Sequence, residues 1–474
     1  MRTVAPNEVA RDQPRAAHWF ATVAALLPFA LLFVAFAAGI VIPLWLFLLV
    51  LAWSLLMPAW TPRRAAPADG TPGTESHVAR EAREFEPRSE QLNTLHRLED
   101  LIDPVVFEVT GSEVTPTGLI FHGRLRTSPE DVQAHVVHVA GALLGRTPHV
   151  MVHEDEQRRP YLLVASAELD AAFTQSIPPR RPLINFALFA ATLVTTTFAG
   201  AAHQGVNVLE RPEAWTIGLP YGLGVMLILG VHEMGHYLAG RYHGVPVSLP
   251  YFIPIPFALG TFGAFIRLPP LLKTRKQLFD IGVAGPLAGL AVAIPALALG
   301  LQWSTVLPVE PAGVEGSHMA QGVGVNASML LALVSKLAIG ETLTTGHYLV
   351  LHPLAFAGWL GLMITALNLL PVGQLDGGHI ARALFGQSRA QAVGKATLFA
   401  MVALGLFVWS GLLFWALVVF FIAGTPGMPP MEDVTPIDPR RQALAWFSFA
   451  LLALILLPFP HALSPEIGLH CPYV

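Results

Sequence analysis

Charge is what this chain has least of. Only 13% of its 474 residues are Asp, Glu, Lys or Arg, where an average soluble domain carries about 25%. The deficit collects in apolar runs of about 20 residues, the length that crosses a bilayer, which excludes an ordinary soluble protein. Cysteine is nearly missing as well. Cys471 stands alone, so there is no intramolecular disulfide and no thiolate cluster for a metal, and cysteine says nothing of compartment. The net charge of −4 supplies no basic field, and no nucleic-acid partner is expected. Any metal site must therefore be built from His, Asp and Glu.

The remaining composition divides the chain. Arg2, Arg11 and Arg15 precede two apolar runs, 19–39 and 40–60. No polar segment with a small-residue cleavage site separates the runs, so residues 1–60 read as a retained transmembrane hairpin rather than a signal peptide. Residues 61–95, rich in Pro, Ala, Gly, Arg and Glu, read as a flexible linker. Residues 96–175 read as a small α+β module. Strands are expected at 105–109, 119–125, 150–152 and 162–165, with a helix from Ser128-Pro129-Glu130-Asp131 to Leu144, stopped by Gly145. Its His135, His138, His149 and His153 lack convergent spacing and read as surface residues.

Further spans are expected at 182–202, 216–239, 281–301, 346–370, 397–423 and 443–457, giving about eight crossings in all. Residues 182–424 form the core and 425–474 a loop, a last helix and a tail, while 329–339 is apolar but too short to span. The fold class is thus an α-helical polytopic membrane protein carrying a small α+β cytosolic module. Arg11, Arg15, Arg63, Arg64, Arg180, Arg181, Arg241, Lys273, Arg275, Lys276, Arg382, Arg389 and Lys395 fall on one side if the crossings alternate, against a single Lys336 in the opposite loop 302–345. That bias places the N-terminus and the module in the cytoplasm. Arg440 and Arg441 break the pattern unless 397–423 is a pair of half-spans turning near Ser410-Gly411.

His232-Glu233-Met234-Gly235-His236 lies toward the end of an apolar run. Positions i and i+4 of a helix differ by about 40° in direction, so the two imidazoles face one point and can share a zinc ion, with Glu233 beside them. Ionisable groups inside a membrane helix cost ~2.5–3.5 kcal/mol each on insertion scales, and a bound metal offsets that cost. The best third ligand is Asp376, in Asn368-Leu369-Leu370-Pro371-Val372-Gly373-Gln374-Leu375-Asp376-Gly377-Gly378-His379. It follows a long apolar span that ends on the same side as His236. His379 is a rival or an outer partner, His352 reads as structural, and Asp280, beside Arg275 and Lys276, reads as interfacial. Residues 245–270 hold six prolines and cannot form a regular helix; an extended piece near Gly260 and Gly263 could pair with a substrate strand. Gly285 and Gly289 have the spacing for close packing of membrane helices.

Taken together, the His-Glu-Met-Gly-His segment, the Asn-Leu-Leu-Pro…Leu-Asp-Gly-Gly segment and the stretch between them resemble the site-2 protease family. The closest likeness is to its bacterial and chloroplast branch, which includes the ethylene-dependent gravitropism-deficient and yellow-green proteins. The resemblance spans 218–383, and the module with its linker is similar to what precedes the core in that branch. It implies an intramembrane zinc metalloprotease cutting transmembrane helices of membrane-protein substrates. One Zn²⁺ per chain would be held by His232, His236 and Asp376, with Glu233 as catalytic acid/base and Asn368 stabilising the transition state or holding the substrate backbone. The expected location is a bacterial cytoplasmic membrane. Two rival readings differ in their signatures. A zinc protease of the prenyl-protein-processing type would take a Glu as third ligand, with Glu341 the nearest acid. A metal transporter would spread acidic or His groups over several spans. Oligomeric state is not legible.

Overall fold

The computed structural model describes residues 89–155, 157–175, 181–256, 258–308, 328–340, 347–407, 411–423, 427 and 429–457. The expected N-terminal hairpin lies outside the described residues, as does all of the linker before Ser89.

The module begins earlier than its composition suggests. Helix α1 (Ser89–Leu101) starts inside the stretch expected to be linker, because Leu95, Leu98 and Ile102 recur at helical spacing and enter the module core. Strands β1 (Phe107–Thr115) and β2 (Gly118–Leu125) form a hairpin. Helix α2 (Pro129–Leu144) starts where expected. The Ser128 hydroxyl accepts the Asp131 N–H at 3.2 Å, and Gly145 stops the helix at φ 66°. Strands β3 (Val150–Glu154) and β4 (Pro160–Ala165) complete an antiparallel sheet of order β1-β2-β4-β3, followed by α3 (Ala167–Gln175). Phe107, Phe121, Val132, Val136, Val152 and Leu162 form the core between sheet and helices.

Among the described residues, three helices are long and apolar enough to cross a membrane. They are α4 (Pro182–His203), α5 (Leu219–Tyr242, entered through a 3-10 turn over Pro212–Gly218) and α6 (Arg275–Gln302). Between α5 and α6 the proline-rich stretch forms a two-stranded sheet, β5 (Tyr251–Pro254) with β6 (Thr261–Phe265). Two polar side chains of α4 hold it. Asn185 Nδ2 donates to the Leu249 and Pro250 carbonyls at 3.1 and 2.7 Å, and Thr195 Oγ1 donates to Gly260 O at 2.7 Å.

Downstream, two expectations change. The span expected at 346–370 is shorter: β8 (His347–Val350) pairs with β7 (Thr305–Pro308), and helix α8 (Pro353–Leu369) begins only afterwards. The reason is local. Pro353 disfavours helix at His352, which instead caps α8 by accepting the Leu354 N–H on Nδ1 at 3.2 Å. Helix α7 (Met329–Ile339) is the short apolar helix expected. After α9 (Asp376–Phe385), the stretch 397–423 is two helices, α10 (Gln387–Phe407) and α11 (Gly411–Ala423), packed on each other. Helix α12 (Pro439–Leu456) starts beside the N-terminal end of α6. Arg441 clamps Asp280 with two bonds of 2.7 Å, while His243, at the end of α5, reaches the same carboxylate at 2.8 Å.

Central in the bundle is α6, whose Leu290, Ala293 and Leu297 pack with Leu362, Ala366 and Leu369 of α8. The module joins this bundle through residues 430–435. Val152 of the edge strand β3 donates its N–H to Met431 O at 2.7 Å and accepts from Asp433 N at 3.0 Å. His153 is not a surface residue: it is 7% exposed and its Nε2 donates to Pro430 O at 2.8 Å. Burial lowers its pKa, favouring the neutral ring.

Gly300 touches α8 so closely that a Cβ there would stand 2.1 Å from Ala355 N. Gly300→Leu should force the two helices apart and cost about 1–3 kcal/mol. A lowered thermal midpoint in detergent checks this.

Candidate metal centre

The bundle brings four distant stretches of sequence to one place. Helix α5 supplies His232 and His236, 3% and 6% exposed, and Glu233 between them in sequence, also buried. Their backs are set by α6. A Cβ at Gly285 would lie 2.1 Å from His236 Nε2, and one at Gly289 would lie 3.1 Å from His232 Nδ1. The small-residue spacing read from the sequence is thus the floor on which the two imidazoles rest. Ile281 of the same helix accepts the His236 Nδ1–H at 2.7 Å. A carbonyl can only accept, so this bond fixes the tautomer and leaves Nε2 with a lone pair facing inward.

Asp376 arrives from the other direction. The chain leaves α8 at Leu369, turns through 370–375 without helix, and starts α9 at Asp376. The Asp376 Oδ2 lies 3.3 Å from His232 Nε2 and 3.3 Å from His236 Nε2, and the two nitrogens are 3.2 Å apart. Ligands held ~2.0–2.1 Å from a tetrahedral zinc are about 3.3 Å from each other. The three atoms fit that ion. Three acceptor atoms converging without a cation between them would repel one another, so the donor set itself calls for a metal.

Two more side chains complete the arrangement. Asn368, in the last turn of α8, places Nδ2 3.3 Å from His232 Nε2. Glu233 takes a hydrogen bond from the Ile266 N–H, just past β6. All five residues line a cavity of about 550 Å³ with His379; Pro269, Pro270, Leu272 and Pro430 form its other wall. His379 has a buried Nδ1 without a partner among the described residues, and it is not part of the triangle. His352 caps α8 and Asp280 is tied to Arg441 and His243, so neither belongs to the centre. Glu341 lies outside the described residues. The backbone partners Ile281 and Ile266 were not legible in the sequence, because a carbonyl or an N–H carries no side-chain signature.

Gly285→Ala should tilt the His236 ring and weaken zinc binding about 10–100-fold, the usual effect of disturbing a group behind a ligand. Gly289→Ala, with more room, should change it far less. Competition with a chromogenic chelator measures both.

Residues 221–409 match peptidase family M50. Among curated proteins, the chain is 32% identical over 383 residues to the probable zinc metalloprotease EGY1, chloroplastic, of Arabidopsis thaliana, covering 74% of this chain and 68% of the relative. It is 37% identical over 250 residues to the protein of the same name from Oryza sativa subsp. japonica, covering 53% and 42%. To the probable zinc metalloprotease EGY2, chloroplastic, of Arabidopsis thaliana it is 28% identical over 363 residues, covering 76% and 63%. No solved structure matches the chain. Each of these relatives is named as chloroplastic, so they do not bear out the expected bacterial cytoplasmic membrane. The Lys/Arg asymmetry behind that expectation reports a side of a bilayer and not which membrane it is; what stands is an integral membrane protein. The chain belongs to peptidase family M50, the site-2 proteases.

Proposed function

We propose that this chain is an intramembrane zinc metalloprotease in which His232, His236 and Asp376 hold the metal, Glu233 is the acid/base and Asn368 binds the reacting carbonyl. The observation that carries this reading is the triangle of donor atoms with sides of 3.2, 3.3 and 3.3 Å. A zinc ion held there would supply Lewis acidity, polarising a carbonyl and acidifying water. Glu233 would accept a proton from the attacking water and return it to the leaving amine. With the His232 lone pair engaged, the Asn368 amide is free to donate to the carbonyl oxygen of the substrate, where negative charge develops.

The substrate is a membrane protein. A peptide bond inside a transmembrane helix is hidden by its own hydrogen bonds, and unwinding it leaves polar groups that need partners in a place without water. The β5–β6 sheet supports strand addition as the answer. β6 is paired only with β5 among the described residues and runs past the cavity to Ile266, so an extended substrate segment can pair along its other edge and present one carbonyl to Glu233. The wider architecture we propose keeps about eight crossings, with the module on the side where α5 ends. Between His236 and the helix end at His243 the rise is about 10 Å, the depth at which cleavage would occur. The metal-transporter reading is disfavoured by a single cluster of metal-capable groups among the described residues.

Glu233→Gln should lower cleavage of reconstituted helical membrane peptides by about 10²–10⁴-fold while zinc content stays at one per chain. Cleavage surviving in that variant would remove Glu233 from the chemistry. Asp376→Ala should lose the zinc itself, and chelation of the wild type should lower its thermal midpoint, because a ligand bound only to the folded state stabilises it. Asn368→Ala should keep the metal and lose about 10²–10³-fold in turnover.

A further inference from the structure

Residues 429–435 touch everything that matters to the cavity. On one side, Met431 N and Glu432 N donate to Leu272 O and Lys273 O at 2.7 and 2.9 Å, so the segment runs beside the stretch that leads into α6. On the other side it adds to the edge of the module's sheet through Val152, in parallel register with Glu432 opposite Val152. Val434 packs against the module core, and it is the residue from outside the module that does so among the described residues. His153 holds the Pro430 carbonyl. Pro430 itself lines the metal cavity together with Leu272 and Gly427.

Arg275 holds the segment from below, and Arg382 lies against the chain just before it. Arg275, at the start of α6, donates from Nε to Asp433 Oδ1 at 2.7 Å and from Nη2 to the Asp433 carbonyl. Arg382, 3% exposed, belongs to α9, the helix that begins with Asp376; its guanidinium lies against Gly427, where a Cβ would come within 2.9 Å of Nη2. The short extended segment is therefore gripped by the module and by the helix under the imidazoles, while Gly427 just before it lies against the helix of the carboxylate ligand and Pro430 forms part of the cavity wall.

We propose that the soluble module controls access to the metal centre by holding residues 429–435 as a latch across the cavity, so that releasing the pairing with β3 opens the cavity to water and substrate. This rests on the reading of the cavity as the active site. The latch is suited to such a role because it is attached to the module by backbone bonds at a sheet edge and one apolar side chain. An edge strand can give up such a neighbour without losing its own sheet, since β3 keeps all its bonds to β4. Whatever displaces the segment from β3, or loosens the module, would be transmitted to the cavity wall without passing through the bilayer.

The test uses the full chain in detergent, with Cys471→Ser to remove the native thiol and Ala264→Cys as a reporter on the cavity wall. Val152→Pro removes the N–H given to Met431 and none of the bonds to β4, as proline at an outward-facing edge position should. Asp433→Pro cuts the other bond of the pair from the core side and leaves the module's sequence untouched. The rate at which the introduced thiol at position 264 reacts with a water-soluble maleimide is followed in zinc-stripped protein, alongside hydrogen exchange at β2, β4 and the one amide of the pairing that each variant keeps, Asp433 in Val152→Pro and Val152 in Asp433→Pro. The expected result is a roughly ten-fold faster labelling in both variants, with exchange protection lost at that remaining amide and kept in β2 and β4. Unchanged labelling despite loss of that protection would overturn the proposal, since the cavity would then be indifferent to the latch. So would faster labelling seen only in Val152→Pro and only with protection lost from β2 and β4, or protection of the remaining amide surviving in both variants. Labelling is read without metal or turnover. Failure of the unsubstituted, unlabelled chain to cleave helical membrane peptides when loaded with zinc would therefore sink the protease reading and leave the latch standing.

Discussion

The contact between α5 and α6 is the constraint on which the site depends. Two imidazoles can aim at one point only if the neighbouring helix comes close enough to carry no side chain there, and Gly285 and Gly289 provide that face. The closeness does three things at once. It orients both rings, it brings the Ile281 carbonyl to the His236 Nδ1–H, and it leaves the opposite side of the rings open to Asp376. A metal centre in a hydrocarbon environment cannot borrow water to correct a misdirected ligand, so the helix packing must supply the accuracy that solvent would otherwise forgive.

Around that contact, the polar groups of the bundle are spent on holding non-helical backbone. Asn185 and Thr195 satisfy carbonyls at the two bends of the β5–β6 sheet, and Ile266 at the end of that sheet steadies Glu233. Irregular backbone at membrane depth persists only where it is buried in protein or lines a cavity. Here it does both. The same logic explains why α4, which contributes no ligand, carries polar residues on the face toward the sheet.

Much of this was legible in the sequence, and for definite reasons. His232, Glu233 and His236 are a local pattern on one helix, so spacing alone placed them. The helix ends at Ser128 and Gly145 follow capping and breaking rules that act within a few residues. Asp376 was reachable because 370–378 is rich in Pro and Gly where a span should stop. What escaped notice is long-range or carried by backbone. The start of α1 at Ser89 depends on a core that the linker-like composition hides. The burial of His153 depends on residues 430–435, nearly three hundred positions away in the chain. The over-long span at 346–370 came from Tyr348, Leu349, Val350 and Leu351, which pair as a strand or lead into the cap instead of continuing a helix; hydropathy does not separate those uses.

The Asp280 carboxylate offers a last point. It is shared by Arg441 at the start of α12 and by His243 at the end of α5. The stretch matched to the peptidase family closes at residue 409, before the arginine that completes this knot, and opens at 221, after the helix that braces the β5–β6 sheet. The unit that carries the recognisable chemistry and the unit that can stand by itself are thus different lengths of chain. A fragment trimmed to the former would keep His232, His236 and Asp376 yet strand a carboxylate at the mouth of the bundle without its guanidinium, and the boundaries of heredity would have been mistaken for those of mechanical integrity.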